Sequence, residues 1–192
     1  MDQHLRAYKR KSYLQLGELF FWTATINRWQ KLLLPDHYKD IIIQSLTYLT
    51  DAGKVDVYGF VIMPNHIHMI WRTKALNGKE TAQGSFLKYT AHEFRKLLYQ
   101  ENPGQLETFR VTAANKQHEF WQRDSLAIHL PYHQIAFQKL DYIQARKQIY
   151  APIYAQAVLE SPAFHRLIMM HDLGDKIALV DFDGYDYSSL GM

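Results

Sequence analysis

The stretch that decides the fold lies between residues 55 and 73 and reads VDVYGFVIMPNHIHMIWRT. Val55–Met63 and His66–Thr73 are rich in β-branched, aromatic and other apolar residues, so each half of the stretch predicts a β-strand. Pro64 and Asn65 separate the two halves and supply the geometry of a tight turn. The stretch therefore predicts a β-hairpin.

Helices and further strands are predicted on both sides of this hairpin. Residues 19–29 (LFFWTATINRW) predict an earlier strand, and residues 108–113 predict a later, short one. Apolar residues at helical spacing, bounded by Pro, Asp or Gly, predict helices over 35–51, 83–99 and 132–150. The order β-α-β-β-α-β followed by a helix is typical of the ferredoxin-like split βαβ fold, which is α+β with an antiparallel sheet.

Composition places the sequence among globular domains. The 192 residues are 47% hydrophobic and 21% charged, which fits one domain over 1–192, with a core at about 19–150 and an extension over 151–192. No run approaches the roughly 18 consecutive apolar residues of a membrane helix, and Met1–Lys11 lacks the apolar part of a secretory signal. We therefore expect a cytoplasmic protein with no membrane partner.

The residue types narrow the chemistry further. Cysteine is absent, which excludes disulfides, thiolate metal sites and cysteine nucleophiles. A net charge of +3 mildly favours a polyanionic partner. The aromatic content of 14% could serve to stack nucleobases, although surplus aromatic residues more often fill a core.

His66 and His68 stand two residues apart at the start of the third strand. Side chains alternate along a strand with period two, so both imidazoles project from the same face. Two neighbouring imidazoles form half of a divalent metal site, although a structural role is more frequent for this spacing alone. A small-molecule metalloenzyme built on the pair is one hypothesis, and it requires a third His or a carboxylate nearby.

The string YGFVIMPNHIHMIW at 58–71 resembles the signature of the HUH-superfamily single-tyrosine transposases, and in particular of the REP-associated tyrosine transposase branch. Three further segments are similar to that family's first strand, second helix and the segment before its last helix: FWTAT at 21–25, SFLKYT at 85–90 and FWQRD at 120–124. The resemblance covers about residues 19–146. It implies that His66 and His68 bind a divalent cation, Mg²⁺ or Mn²⁺, at a scissile phosphate of single-stranded DNA.

The resemblance also implies a nucleophile. The last helix of the family carries a Tyr-Ile pair, which Tyr142 and Ile143 match. Tyr142 would then attack the phosphate, form a 5′-phosphotyrosine and free a 3′-hydroxyl. A phenol with a pKa of about 10 is a poor nucleophile at pH 7, so it needs a metal or basic groups nearby. The implied function is a metal-dependent DNA endonuclease and strand transferase that acts on hairpin DNA.

One position departs from the family pattern. Arg146 stands where the family has an Asn or Gln that completes the metal site, and a guanidinium has no lone pair to offer a metal. Gln138, four residues before Tyr142, shares its helix face and is the candidate replacement ligand. The departure leaves an alternative open, in which the protein binds hairpin or single-stranded DNA without cleaving it.

Four basic residues are candidates for contacts with DNA phosphates: Arg72, Lys88, Arg95 and Arg123. For any one of them, an ordinary solvated surface is the simpler interpretation. The expected partner is single-stranded or hairpin DNA, with the protein associated with the nucleoid. The sequence does not decide between a monomer and a homodimer.

Overall fold

The computed structural model describes residues 14–113, 116–150, 172–173 and 177–178, and in the last helix it describes side chains as far as Ile143, His133 excepted. The strands are β1 (Leu19–Thr25), β2 (Val55–Met63), β3 (His66–Thr73), β4 (Arg110–Ala113), β5 (Lys116–His118), β6 (Leu126–His129), β7 (Asp172–Leu173) and β8 (Ile177–Ala178). The α-helices are α1 (Asp36–Asp51), α2 (Ala82–Glu101), α3 (Pro103–Glu107) and α4 (His133–Tyr150), and Asn27–Trp29 forms a 3₁₀ turn.

Four of these strands build the sheet that organises the molecule. The order across the sheet is β2-β3-β1-β6, and every neighbouring pair is antiparallel. β4 with β5, and β7 with β8, form two separate two-stranded pairs. The fold is therefore α+β with an antiparallel sheet, as the order of elements in the sequence predicts.

Two of the predicted strands differ from those observed. The first strand ends at Thr25 rather than at Trp29, because the chain enters the 3₁₀ turn. The prediction of residues 108–113 as the fourth sheet strand is wrong. That segment contains β4, of which no side chain is buried, whereas β6 pairs with β1 and forms the sheet edge.

One face of the sheet packs against α1 and α2, and we call it the closed face. At its centre lie Trp22 of β1, Trp71 of β3 and Phe86 of α2, all fully buried. The Trp22 ring centroid is 5.0 Å from that of Trp71 and 5.7 Å from that of Phe86. Burial of such large rings is the main source of stability in a domain of this size.

The opposite face packs against α4, and we call it the site face. Its apolar cluster includes Phe21, Val61, Ile70 and Ile143, the last contributed by α4. Residues of β1 and β3 therefore alternate between the two faces, as the pleat of a strand requires.

A bulge in β2 decides which of its residues reach the site face. The pairing register with β3 shifts between Val57 and Gly59, so β2 carries one extra residue there. Val57 packs on the closed face before the bulge, and Ile62 does so after it. If the same residues paired with β3 without the bulge, Val61 would lie opposite Ile67 and point to the closed face instead of toward α4.

The ends of the helices follow local chemistry. α1 is followed by Gly53 with φ +67°, the left-handed conformation in which glycine avoids strain at a helix end. α2 begins after Thr81, whose Oγ1 accepts a hydrogen bond of 3.0 Å from the backbone N–H of Gly84. In the part of the chain that the structure describes, every helix is too short or too polar to cross a membrane.

Candidate active site

Two histidines of β3 project together from the site face. His68 lies opposite Thr23 of β1, and His66 lies opposite Thr25. The two imidazole centroids are 4.6 Å apart, with an angle of 76° between the rings. His68 is buried and His66 is half-buried. The prediction that both imidazoles share one face of the sheet is confirmed.

Hydrogen bonds turn the Nε2 atoms of the two rings toward each other. The distance between these Nε2 atoms is 3.1 Å. On the other side of each ring, His66 Nδ1 lies 2.7 Å from Asn65 Oδ1, and His68 Nδ1 lies 2.7 Å from Thr23 Oγ1. An oxygen partner on Nδ1 is the usual device for orienting a histidine whose Nε2 binds a metal.

The side-chain amide of Asn65 also sets the tautomer of His66. Its Nδ2 donates to the carbonyl of Trp29 at 3.4 Å, so its Oδ1 is the atom that faces His66. An amide oxygen only accepts, and His66 therefore donates from Nδ1. In the neutral ring, Nε2 keeps its lone pair for a ligand.

Helix α4 places Tyr142 against this pair. The phenol ring lies 5.4 Å from the imidazole of His68, centroid to centroid, with 71° between the planes. Phe21 stacks on His68 at 5.2 Å and meets the edge of Tyr142 at 6.1 Å. The Lys139 Nζ lies 5.2 Å from the centroid of Phe21. Tyr142 packs against Phe21 and His68 and remains 38% exposed.

The histidine pair fits a divalent cation in ligand type and in spacing. Two ligands in adjacent octahedral positions, each about 2.1 Å from the ion, lie about 3.0 Å apart. The observed distance between the Nε2 atoms of His66 and His68 is 3.1 Å. Among the described residues, no group of three or more His, Cys, Asp or Glu side chains is placed to hold a metal. The described chain thus supplies two imidazoles, without the third ligand that the small-molecule metalloenzyme hypothesis requires.

Gln138 and Arg146, the two residues that the sequence connects with a third metal ligand, lie on α4. Gln138 is exposed on the helix that carries Tyr142, and its role as a ligand stays a prediction. The side chain of Arg146 lies outside the described residues, although its backbone belongs to α4.

The four bases predicted to contact DNA have different surroundings. Arg72 donates to the buried Asp56 carboxylate at 3.0 Å and 3.2 Å. Lys88 pairs with Glu80 at 2.6 Å, and Arg123 pairs with Glu119 at 3.2 Å. Arg95 lines a groove on the outer side of α2. DNA contact stays a prediction for all four, and Arg72 has the clearest structural task, since it neutralises a buried acid.

The sequence analysis gave Thr23, Asn65 and Trp29 no role at the site, although all three contact the histidine pair. Asn65 and Trp29 lie next to His66, and Thr23 bonds His68. The first strand does carry a threonine at position 23, and a threonine on the same face of a neighbouring strand can reach a histidine. To predict the contact between Thr23 and His68 from the sequence, one would need the pairing register of β1 and β3, which no local sequence pattern gives.

Comparison with solved structures relates the fold to known proteins. The structure of a REP-associated tyrosine transposase bound to a REP hairpin matches with a TM-score of 0.50 at 16% sequence identity. The match covers 95% of this chain and 96% of that chain. The fold is that of a REP-associated tyrosine transposase.

A second solved structure, of a candidate transposase from Deinococcus radiodurans R1, matches with a TM-score of 0.37 at 18% identity, over 76% of this chain and 97% of that one. No model of a known protein family matches the chain, and no curated protein matches its sequence. The match with the first of these two structures extends the resemblance from short motifs to the fold.

Proposed function

We propose that this protein cleaves and rejoins single-stranded DNA next to a hairpin, with Tyr142 as the nucleophile and with a divalent cation held by His66 and His68. The observation that carries the proposal is a single arrangement on the site face. Two Nε2 atoms converge at 3.1 Å, and the Tyr142 ring lies 5.4 Å from one of the two imidazoles. A nucleophile beside a metal half-site is what phosphoryl transfer to a protein side chain requires.

The chemical step conserves the number of phosphate ester bonds. The Tyr142 Oη attacks the scissile phosphorus and loses its proton to solvent or to a nearby base. The new Oη–P bond forms as the P–O3′ bond breaks, and the departing 3′-oxygen takes up a proton. The product is a 5′-phosphotyrosine and a free 3′-hydroxyl, and attack by a 3′-hydroxyl on the same phosphorus rejoins a strand. His66 and His68 would hold the divalent cation, which would supply Lewis-acid polarisation of a phosphoryl oxygen when bound.

The packing of Tyr142 suits this role. Phe21 contacts both the phenol ring and His68, so one apolar side chain sets the relative position of nucleophile and metal half-site. The remaining exposed part of the ring leaves room for a phosphate to approach. Fixing reacting groups in this manner is a large part of the catalytic effect in phosphoryl transfer.

DNA as the substrate is supported by a basic groove and by the related structure. A groove of about 840 Å³ lies between α2 and the β4–β5 hairpin, and its polar lining consists of Lys88, His92, Arg95, Lys116, Gln117 and His118. No acidic side chain is among its described lining residues, and Lys88 and Lys116 of the lining pair with Glu80 and Glu119 outside it. Such a groove attracts the phosphates of a nucleic acid. The transposase of the same fold was solved bound to a REP hairpin.

A second candidate function is DNA binding without cleavage. Within the described residues the chain offers two imidazoles and no third ligand from His, Cys, Asp or Glu, and Arg146 replaces an expected ligand. This candidate predicts that Arg146→Asn creates or strengthens cation binding and DNA cleavage. The principal proposal predicts cleavage by the natural sequence.

A covalent-adduct assay tests the proposal. The protein is incubated with end-labelled hairpin oligonucleotides that carry a flanking single strand, in Mg²⁺, Mn²⁺ or EDTA, and run on a denaturing gel. We expect a metal-dependent shifted band that Tyr142→Phe reduces by at least about 10³-fold. His66→Ala should remove it as well.

Two controls make the result decisive. Tyr99→Phe removes the same hydroxyl from an exposed tyrosine on α2 and should leave the adduct unchanged. Hairpin binding, measured in parallel by fluorescence anisotropy, should survive in Tyr142→Phe. Retained, salt-sensitive binding with no adduct from the natural sequence would replace the proposal with the DNA-binding alternative.

A further inference from the structure

The turn that follows β1 has an unusual backbone conformation. Arg28 and Trp29 have φ values of +55° and +57°, and they are the non-glycine residues with positive φ in the described part of the chain. This conformation is costly for a side chain as bulky as tryptophan, and such outliers persist only where the surrounding structure enforces them.

Hydrogen bonds on both sides enforce the turn. The Trp29 N–H donates to the Ile26 carbonyl at 3.0 Å, and the preceding Asn27 N–H donates to the Phe120 carbonyl at 2.7 Å. The Asn27 Nδ2 also donates to the Glu119 carbonyl at 3.1 Å. The position of Trp29 is therefore set by a segment almost a hundred residues later in the chain.

The side chain held in this way is open to solvent. Trp29 is 60% exposed, whereas Trp22, Trp71 and Trp121 are all buried. Its ring lies 6.2 Å from that of His66, at an angle of 71°. An exposed indole ring contributes nothing to the stability of the fold. Because a strained turn nevertheless holds the Trp29 ring beside the histidines, the arrangement indicates a binding role.

Trp29 and Tyr142 stand at opposite ends of a row of rings. Trp29 contacts His66, His66 contacts His68, and His68 contacts Tyr142. A nucleic-acid strand whose phosphate lies at the histidine pair would bring a neighbouring base to the exposed indole.

We infer that Trp29 is a stacking platform for a nucleobase adjacent to the scissile phosphate, an inference that rests on the proposed function. An aromatic face accepts every base, because each base has a π-surface. The contact would fix which phosphate reaches the histidines, while the carbonyl of the same residue orients Asn65 and, through it, His66.

The test compares two probes with the same number of phosphates. One is a fluorescein-labelled (dT)₁₀ strand, and the other is a labelled strand of ten abasic nucleotides. Binding is measured by anisotropy with EDTA and in a Tyr142→Phe background, so that cleavage has no part in the result. We expect the protein to prefer (dT)₁₀, and we expect Trp29→Ala to reduce that preference by about 5- to 150-fold.

Matched variants separate stacking from loss of surface. Leu34→Ala truncates a residue of similar exposure a few positions further along and should leave the preference unchanged. Trp29→Phe should retain part of the preference that Trp29→Ala loses, since phenylalanine also stacks on bases. The intrinsic fluorescence should be quenched by (dT)₁₀ but not by the abasic strand, because Trp29 is the exposed tryptophan of the four.

An equal loss of affinity for both probes in Trp29→Ala, or an unchanged preference, overturns the inference. This result does not depend on the adduct assay. A protein that forms no adduct can still show base-dependent binding through Trp29, and one that forms the adduct can lack it.

Discussion

The two faces of the sheet are built from the same strands but differ in content. The closed face is a continuous aromatic and aliphatic core in which Trp22, Trp71 and Phe86 are fully buried. The site face combines a smaller apolar cluster with His66 and His68 and with a half-exposed tyrosine.

The difference shows how one strand can serve two purposes. In β3, Ile67, Met69 and Trp71 point into the closed face, while the residues that alternate with them include both histidines. The pleat of the strand alone places the two sets of side chains on opposite faces of the sheet. Most of the stability therefore comes from the closed face. The site face can carry polar groups that serve a chemical function.

Truncation in the closed face should give the largest effect on stability. Trp71→Ala removes a fully buried ring that contacts Trp22 and Phe86. We expect the free energy of unfolding to fall by about 3–5 kcal/mol, measured by urea denaturation. Trp29→Ala, which removes the same side chain from an exposed position, should change it by no more than about 0.5 kcal/mol. Similar losses for the two variants would contradict the contrast between the faces.

On the site face, a change in one hydroxyl should affect cation binding more than stability. Thr23→Val keeps the shape of the side chain but removes the Oγ1 that bonds His68 Nδ1 at 2.7 Å. We expect the affinity for Mn²⁺, measured by isothermal titration calorimetry, to fall by about 10- to 100-fold. Thr25→Val is the matched control, because among the described contacts the Thr25 hydroxyl bonds neither histidine. An equal fall in both variants would assign the effect to the strand rather than to the hydrogen bond.

His118 of β5 carries polar atoms that should reduce the stability of the fold. Both ring nitrogens of His118 are buried without a hydrogen-bond partner among the described residues, and the ring stacks near Phe120. His118→Phe removes two unsatisfied groups and should raise the free energy of unfolding by about 1 kcal/mol.

His118 should also make the stability of the fold depend on pH. Burial lowers the pKa of His118 below its ordinary value of 6.5; the Glu107 carboxylate opposes this shift, and repulsion by Arg110 and Arg95 adds to it. The unfolded chain therefore binds a proton more readily, so stability is fully present above about pH 6.5 and declines as the pH falls below it. His118→Phe should flatten this decline in thermal melts between pH 7 and pH 5. A decline of the same steepness in the variant would exclude His118 as its source.

The smallest predicted effect concerns the groove beside α2. Arg95→Gln removes one cation from the lining, so the slope of log affinity for hairpin DNA against log salt should fall by about 0.9. Lys79→Gln makes the same charge change at an exposed position outside the groove lining and should leave the slope unchanged. Equal slopes for the two variants would remove the groove from the DNA interface.

Local patterns predict much of the fold. The hairpin from Val55 to Thr73 and the helix from Asp36 to Asp51 depend on short-range periodicity and on turn residues, and both occur where the sequence places them. The shared face of His66 and His68 follows from the same periodicity.

Features that depend on pairing between distant segments could not be predicted. The fourth sheet strand is β6 because its residues align with Phe20–Thr23, and nothing local distinguishes it from β4. The bond from Thr23 to His68 joins residues 45 positions apart. The turn at Trp29 is held by the segment around Phe120. Each depends on register or docking, which sequence periodicity does not encode.

The bulge in β2 bears on how this protein can evolve. A single-residue deletion at Tyr58 or Gly59 would remove the bulge and leave every later residue of the strand opposite its present partner in β3. Val61 would stay on the site face, and Ile62 would stay on the closed face. Lineages that carry this fold should therefore lose or regain a residue at the bulge more readily than elsewhere along β2, where a change of length would exchange the two faces.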